Sequence, residues 1–216
     1  MPLPMVHLLV ANGLKCDKIN KTPEYFLGVI APDAVHMRKD YKREHKTASH
    51  FGIKNVGGTE KIEELYEKIR SAKETERKNF LLGCLTHILT DKLWLDTLYG
   101  NIYLKNYEND PLRPENERDA YYNDTDQIDY MLYENMPWRE EIFDKIEKAK
   151  VFGIENVLRC ENVYMWRIRT VNWFSKESEH KNPLRYLRYI KYSDVLEFAD
   201  FASKKINKII GTLQLT

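Results

Sequence analysis

The chain has 216 residues, with 34 lysines and arginines against 33 aspartates and glutamates, so its formal net charge is +1 at pH 7. This length is sufficient to bury a full core in one domain, and the balanced charge argues against a general nucleic-acid-binding protein, so no specific nucleic acid is expected as a partner. The three widely spaced cysteines support neither a disulfide framework nor a cysteine zinc site.

The first 14 residues are uncharged, but they do not have the pattern of a signal peptide. No basic region precedes them, they include two prolines and a histidine, and no small-residue cleavage pattern follows. No stretch of the chain reaches the roughly 18 apolar residues that a membrane-spanning helix requires. We therefore expect a cytoplasmic protein with reduced thiols and at most peripheral membrane contact.

Helix-type periodicity dominates the chain, and strand-type alternation is scarce. We predict an all-α fold, a multi-helix bundle that forms a single domain over residues 1–216. The first helix is predicted at 5–19. A short second helix is predicted within the segment 24–36, and Pro32 is expected to stop it. Residues 38–58 are polar and basic, which indicates a loop.

A helix at 59–72 follows, with Thr59 as its predicted N-cap. A long helix is predicted from about residue 74 to about residue 99, with Gly100 near its end. Prolines mark a loop at 108–118. The remaining predicted helices are 125–136, 138–152, 155–175 and 192–213.

The middle of the long helix carries an imidazole and a carboxylate on an otherwise apolar segment, "GCLTHILTDKLW". His87 and Asp91 are four residues apart, so they share one face of the helix. A buried carboxylate is costly without a cation, and a metal ion would supply one. Alternatively, His87 forms only a hydrogen bond with Asp91, or both side chains line a hydrated groove between helices.

Other potential ligands occur earlier in the chain, in apolar or turn settings. His7 lies in "PMVHLLVA", Asp33 and His36 in "GVIAPDAVH", and His50 in "KTASHFG". A single histidine on an apolar face is more often a core residue than a ligand. Several such residues together favour a metal site.

These segments carry a resemblance to a known family. "MPLPMVHLLVA", "FLGVIAPDAVH", "SHF" and "FLLGCLTHILTDKLW" together resemble the zinc-dependent phospholipase C family, which is related to zinc-dependent single-strand nucleases. The resemblance covers about residues 1–95 and rests on the order His, Asp, His, His-x-x-x-Asp. It implies an all-α bundle with a metal cluster in a cleft.

The resemblance also implies which residues hold the metal. Asp33, His50, His87 and Asp91 match the ligands of one ion, His7 matches a ligand of a second ion, and Asp91 would bridge the two. We expect one or two zinc ions, with iron, manganese or nickel as alternatives. Such a centre activates a water molecule that attacks phosphorus.

His36 is an addition to this pattern, and with Asp33 it is expected to take part in catalysis. His36 could join the site as a metal ligand, as a hydrogen-bond partner of a ligand or as a proton donor to the leaving group. Alternatively, it is an ordinary histidine in a turn.

The family places a third ion after the aspartate, on two further histidines and an acid. Here the only later histidine is His180, so we expect no complete third site. Asp96, Asp126 or Asp129 could substitute as a ligand, but their spacing does not single one out. The last two also suit the first turn of a helix, where acids interact favourably with the helix dipole.

Two basic segments are potential substrate-binding elements. Arg38 and Arg43 lie between proposed ligands and would contact a substrate phosphate, unless that segment is only a solvated loop. Residues 167–192 mix basic and aromatic side chains, which suits either a phosphate backbone or membrane face, or an amphipathic core helix.

The sequence therefore favours a metal-dependent phosphoester hydrolase that acts on a small intracellular phosphoester or a phospholipid headgroup. The alternative is a non-catalytic, metal-containing binding or scaffold protein of the same fold. The oligomeric state is left open.

Overall fold

Helices make up the regular structure of the chain in a computed structural model that describes residues 3–52, 60–175 and 186–213. In these ranges there is no β-strand beyond one isolated bridge between Ile154 and Leu158, so the predicted all-α class is confirmed. Nor does this part of the chain contain a helix long and apolar enough to cross a membrane. The elements in chain order are α1 (Pro4–Gly13), α2 (Pro23–Ile30), a 3₁₀ helix (Ala31–Met37), α3 (Arg43–Ser49), α4 (Glu60–Ser71), α5 (Thr75–Trp94), a π-helix (Leu95–Leu104), α6 (Lys105–Glu108), α7 (Glu117–Asn135), α8 (Arg139–Lys148), α9 (Cys160–Ser175) and α10 (Tyr192–Thr212).

Helix α5 forms the centre of the fold, because every residue from 79 to 91 is buried. A helix that is buried on all sides must be apolar nearly all round, as its sequence is. Its most extensive contact is with α2. The two helices cross at Gly28 and Gly83, where a Cβ on either residue would overlap a backbone carbonyl oxygen of the other helix. This close crossing fixes the position of the residues one turn further along α5.

Helix α5 does not end near Gly100 as the sequence predicted. At Leu95 it changes into a ten-residue π-helix, Leu95–Leu104. This π-helix continues directly into α6, which ends at Glu108. The apolar pattern past residue 95 explains the continuation, since Leu98, Tyr103 and Tyr107 are buried on one side of this segment. The apolar pattern alone did not indicate that this segment forms the wider turns of a π-helix.

Two predicted helix limits near α1 and α7 were also wrong. Helix α1 ends at Gly13 rather than at residue 19, because Leu14 is extended and buried and the Lys15 N–H donates to Asn207 instead of continuing the helix. Helix α7 begins at Glu117, eight residues before the predicted 125, where the Asn116 side chain accepts from two backbone N–H groups of the first turn.

The predicted loop at 38–58 contains helix α3, which the polar sequence did not indicate. Its Lys46 forms an ion pair with Asp33 of the 3₁₀ helix, and Phe51, just after α3, is buried. Tertiary contacts therefore stabilise a helix that has no apolar stripe. Thr59, the predicted N-cap of the next helix, lies outside the described residues.

A buried carboxylate on α7 holds the segment that precedes α10. Asp124 is fully buried, and it accepts hydrogen bonds from the backbone N–H groups of Arg188, Tyr189 and Ile190 at 3.0, 2.6 and 3.0 Å. A carboxylate that receives several backbone N–H groups satisfies donors that would otherwise be buried without partners.

We predict that Asp124→Ala lowers the free energy of unfolding by about 3 kcal/mol, because it leaves these N–H groups without an acceptor. For a chain of this length the melting temperature should fall by roughly 6–12 °C in scanning calorimetry. The control is Asp200→Ala, which removes only an exposed i,i+4 pair with Lys204. If both variants melt alike, Asp124 does not have this role.

Candidate metal centre

Two helix positions on α5 supply the first part of the site. His87 and Asp91 are each only 1% exposed. The His87 Nδ1–H donates to the Val29 carbonyl of α2 at 2.8 Å, so its Nε2 carries the lone pair. Pro32 has no N–H to give to the carbonyl three residues earlier, which is that of Val29. The change from α2 to the 3₁₀ helix thus leaves an acceptor that orients His87.

His50 lies at the carboxyl end of α3 and is held by an unusual backbone turn. Phe51 and Gly52 follow it in the left-handed region, with φ of 48° and 73°. A side chain in this region is strained, and the burial of Phe51 offsets the strain. The His50 Nδ1–H donates to the Lys46 carbonyl at 3.0 Å, so Nε2 is the nitrogen that faces the carboxylates and offers a lone pair when the ring is neutral.

His7 reaches the same point from α1. Its ring stacks on that of His87, with the centroids 3.8 Å apart and the planes at 8°. Its Nε2 lies 3.4 Å from Asp91 Oδ1. The other Asp91 oxygen, Oδ2, lies 3.2 Å from His50 Nε2 and 3.7 Å from His87 Nε2. Asp91 therefore faces one histidine with one oxygen and two histidines with the other.

Asp33 completes the group from the 3₁₀ helix. Its Oδ1 lies 3.5 Å from His50 Nε2, and its Oδ2 lies 4.0 Å from His87 Nε2. The structure thus brings together the five residues that the sequence singled out as metal ligands. We call this candidate site the metal centre: His7, Asp33, His50, His87 and Asp91.

The spacing of these atoms fits shared metal ions. Ligands of one tetrahedral zinc at about 2.1 Å lie about 3.4 Å from each other. The Nε2 atoms of His50 and His87 are 3.3 Å apart, and their distances to the nearest carboxylate oxygens of Asp33 and Asp91 run from 3.2 to 4.0 Å. Two His/Asp groups within the described residues could hold an ion: His7 with Asp33 and His87, and His50 with His87 and Asp91.

The hydrogen-bond inventory gives an independent test of that fit. Both nitrogens of His7 and both oxygens of Asp91 are buried and make no hydrogen bond to any residue that the structure describes. Buried polar atoms are almost always hydrogen-bonded, and an unpaired buried carboxylate is costly. These atoms face one another with lone pairs and with no N–H or O–H group between them. Such an arrangement matches the ligand atoms of a metal site.

The protonation states of the histidines also suit this role. Burial, and after it the neighbouring His87, lower the pKa of His7 to about 3. Burial likewise lowers the pKa of His87. Burial would lower the pKa of His50 too, but the adjacent carboxylates of Asp33 and Asp91 raise it above its usual value. A metal ion competes with that proton, because a ligand imidazole must be neutral.

The two aspartates are charged. Burial would raise the pKa of Asp91, but His87 and His50 outweigh it and lower the pKa to about 2. Burial acts in the same way on Asp33, whose pKa is nevertheless held well below its usual range, above all by Lys46 and then by His50. The metal centre therefore offers two carboxylates at neutral pH, which would compensate the charge of a divalent cation.

A cavity of about 300 Å³ opens beside Asp33. One wall comes from the 3₁₀ helix and α3, a second from α7, a third from α9, and the start of the described chain closes one side. The lining residues are Leu3, Pro4, Asp33, His36, Lys46, Tyr122, Asp126, Asp129, Trp166, Arg169, Thr170 and Trp173.

His36 lines this cavity but is not part of either group of potential ligands in the described chain. Its Nε2 lies 3.9 Å from Asp33 Oδ1 and 3.3 Å from Lys46 Nζ, which also donates to Asp33 Oδ1 at 3.0 Å. Burial and then the Lys46 charge lower the pKa of His36. A neutral His36 that accepts from Lys46 orients this ammonium group beside the metal centre.

Arg38 and Arg43, the predicted phosphate contacts, are not among the residues that line the cavity. The Arg38 guanidinium binds Asp40 through two hydrogen bonds of 3.1 and 2.9 Å. Arg43 is exposed at the start of α3. Their role in substrate binding stays a prediction, and Lys46 is the cation of this segment that faces the cavity.

The acids considered for a further ion lie in different places. Asp96 is on the surface and pairs with Lys92 at 3.0 Å. Asp126 and Asp129 line the cavity, but in the described chain neither joins a group of potential metal ligands. Asp129 Oδ1 accepts from the Met5 N–H at 2.9 Å, so it caps the first turn of α1. His180 lies outside the described residues.

Helix α9 contributes cavity residues that sequence reasoning did not assign to the site. Trp166, Arg169, Thr170 and Trp173 line the cavity, and the last three belong to the basic and aromatic stretch at 167–192 that suggested either a binding surface or a core helix. They follow an i, i+3, i+4, i+7 pattern, which shows one helix face. That pattern alone does not indicate which cavity the face lines.

In the part of the chain that is described, the fold and the site define an all-α protein with a buried His/Asp cluster that could hold a metal ion. Comparison of the chain with protein-family models, with curated proteins and with solved structures finds no match. The function is therefore argued from the site itself.

Proposed function

We propose that this protein is a metal-dependent phosphoester hydrolase of the zinc-dependent phospholipase C type. The observation that carries the proposal is the Asp91 carboxylate, which is 1% exposed and makes no hydrogen bond within the described residues, while three imidazole Nε2 atoms lie within 3.7 Å of it. The order of these ligands along the chain is that of the resembled family.

Bound metal ions would supply a water molecule of lowered pKa next to a polarised phosphoryl oxygen. The residues of the chain serve three tasks around that reaction. Asp33 joins the buried metal centre to the cavity, since it is the most exposed of the five ligands, at 15% for its side chain. Lys46 offers a fixed positive charge to a phosphoryl oxygen, and His36 holds Lys46 in place.

The size and lining of the cavity favour a small substrate. About 300 Å³ is enough for a phosphorylated headgroup or a mononucleotide but not for a nucleic-acid duplex. The near-zero net charge provides no long-range attraction for a polyanion. We therefore propose a small phosphoester or a phospholipid headgroup as the substrate.

A second candidate is a protein in which the metal is purely structural. The observation that favours it is burial, because His7, His50, His87 and Asp91 are each 1% exposed and connect α1, α3 and α5. A panel of phosphodiesters and phospholipid headgroups, assayed with Zn²⁺, Mn²⁺, Fe²⁺ and Ni²⁺, separates the two. Hydrolysis supports the enzyme, and a blank panel with bound metal supports the structural role.

Both candidates predict that chelation lowers the melting temperature. The ligands come from α1, the 3₁₀ helix, α3 and α5, so an ion bound only by the native state adds its linkage free energy to folding. At about a thousandfold saturation this amounts to about 4 kcal/mol, or a shift of roughly 10 °C. Differential scanning fluorimetry with a chelator, followed by excess zinc, measures the fall and its reversal. An unchanged melt after proven metal loss contradicts this prediction.

A further inference from the structure

One face of α9 presents Arg169 to the cavity, where burial lowers the pKa of its guanidinium and the charge of Asp33 raises it, but no described carboxylate forms an ion pair with it. The Arg169 guanidinium carbon lies 4.7 Å from the centroid of the Trp166 ring and 4.5 Å from that of the Trp173 ring. This sandwich fixes the guanidinium by cation–π contacts. No carboxylate or carbonyl in residues 3–52, 60–175 or 186–213 receives a hydrogen bond from it, so its donors are available for a ligand.

The threonine next to it behaves differently from the other threonines inside helices. Five of them donate their hydroxyl to the carbonyl four residues earlier, at 2.6 to 3.3 Å: Thr47, Thr86, Thr90, Thr97 and Thr125. Thr170 is 1% exposed and lines the cavity, but its hydroxyl makes no hydrogen bond within the described residues. Its polar atom is buried beside the cavity without a protein partner.

A third donor lies one turn earlier on the same helix. Trp166 is 6% exposed and lines the cavity, and its Nε1–H has no acceptor among the residues that the structure describes. An indole N–H only donates, a guanidinium only donates, and a threonine hydroxyl can donate. Together these groups form a patch of donors without acceptors.

The other walls of the cavity carry both charges, since Asp33 and the exposed Asp126 line it together with Lys46. Lys46 faces the cavity across from α9, and the His36 ring lies 6.2 Å from that of Trp166. On α7, Asp129 already accepts from the Met5 N–H, and burial raises its pKa well above its usual range, which reduces its negative charge.

We infer that Trp166, Arg169 and Thr170 form an anion-binding subsite that takes a phosphate group of the substrate in this cavity. A phosphate offers several acceptor oxygens and a negative charge, which match a guanidinium beside further N–H and O–H donors on one helix face better than a neutral group would. The inference rests on the proposed function, because it assigns these donors to the substrate of the same cavity. The group bound is either the reacting phosphate or a second phosphate on the same molecule.

Isothermal titration calorimetry of the protein as purified with inorganic phosphate measures the phosphate affinity and so tests this subsite. Arg169→Gln should weaken binding about tenfold or more, and the isosteric Thr170→Val about threefold to tenfold. The control is Arg167→Gln, which removes the same charge from α9 at a residue that binds the Ala149 carbonyl and does not line the cavity. It should leave the affinity within about twofold.

Kinetics with monophosphate and bisphosphate esters then identify the group that is bound. If the subsite holds the reacting phosphate, Arg169→Gln lowers kcat/KM for both classes of substrate alike. If it holds a second phosphate, the loss is confined to the bisphosphates. Either result supports the subsite.

Phosphate affinities that are equal in the wild type, Arg169→Gln and Thr170→Val, or a wild type that binds no phosphate, would overturn the inference. The proposed hydrolase would stand in that case if the wild type cleaves a phosphoester. Conversely, loss of phosphate binding in Arg169→Gln without hydrolysis of any substrate supports the subsite and rejects the hydrolase.

Discussion

Asp91→Asn is expected to remove bound metal and abolish phosphoester hydrolysis while the protein stays folded. The substitution keeps the size of the side chain but removes the charge that faces His7 on one side and His50 and His87 on the other. Loss of a residue that merely orients a ligand costs 10- to 100-fold in metal affinity, so loss of a ligand itself should cost more than about 100-fold.

The fold should survive because the new amide is compatible with the metal-free site. An asparagine NH₂ can donate to the Nε2 lone pair of His50, which lies 3.2 Å from the oxygen it would replace. The measurements are metal content, hydrolysis and circular dichroism. The matched control is Asp96→Asn, a surface residue paired with Lys92, which should keep metal and activity. An Asp91→Asn protein with full metal content would contradict the assignment of Asp91.

Gly83→Ala is expected to destabilise the whole protein by more than about 3 kcal/mol. A Cβ at this position would overlap the Tyr25 carbonyl oxygen and lie 2.8 Å from the Val29 nitrogen, both on the backbone of α2. Because a backbone cannot move aside as a flexible side chain can, α2 and α5 would have to separate. That separation would also carry the Val29 carbonyl away from His87, so the affinity for metal should fall as well.

The melting temperature of soluble Gly83→Ala, or its failure to accumulate as soluble protein, tests this expectation. The matched control is Gly211→Ala, since a Cβ there meets nothing within 4 Å. Gly211 lies in α10 and is exposed, so alanine should stabilise the protein by about 0.5–1 kcal/mol. If Gly83→Ala melts like the wild type, the close crossing of α2 and α5 is incorrect.

The metal centre was accessible to sequence reasoning because its residues violate the local apolar pattern. His7, His87 and Asp91 interrupt runs that otherwise belong in a core, and burial of such groups needs a compensating partner. The periodicity of α5 also predicted correctly that His87 and Asp91 share one face. How α1, α3 and the 3₁₀ helix meet at that face depends on tertiary packing, and the sequence supported it only through the resemblance.

The cavity was not accessible in the same way. Arg169 and Thr170 lie on an amphipathic helix whose aromatic and basic residues suit an ordinary core face equally well. What distinguishes Thr170 is the absence of its hydroxyl bond to the preceding turn, within the described residues, and only atomic positions reveal that. Helix α3 was missed for a related reason, because its stabilising contacts come from Asp33 and the buried Phe51 rather than from its own sequence.

The central claim is that the five clustered residues hold metal, and metal content per chain tests it most directly. The protein should be expressed without a histidine tag, purified without added metal and analysed by inductively coupled plasma mass spectrometry. The account predicts about one to two transition-metal ions per chain, zinc above all, and a large loss in Asp91→Asn. Folded wild-type protein that contains no metal and takes up none from added zinc would contradict it.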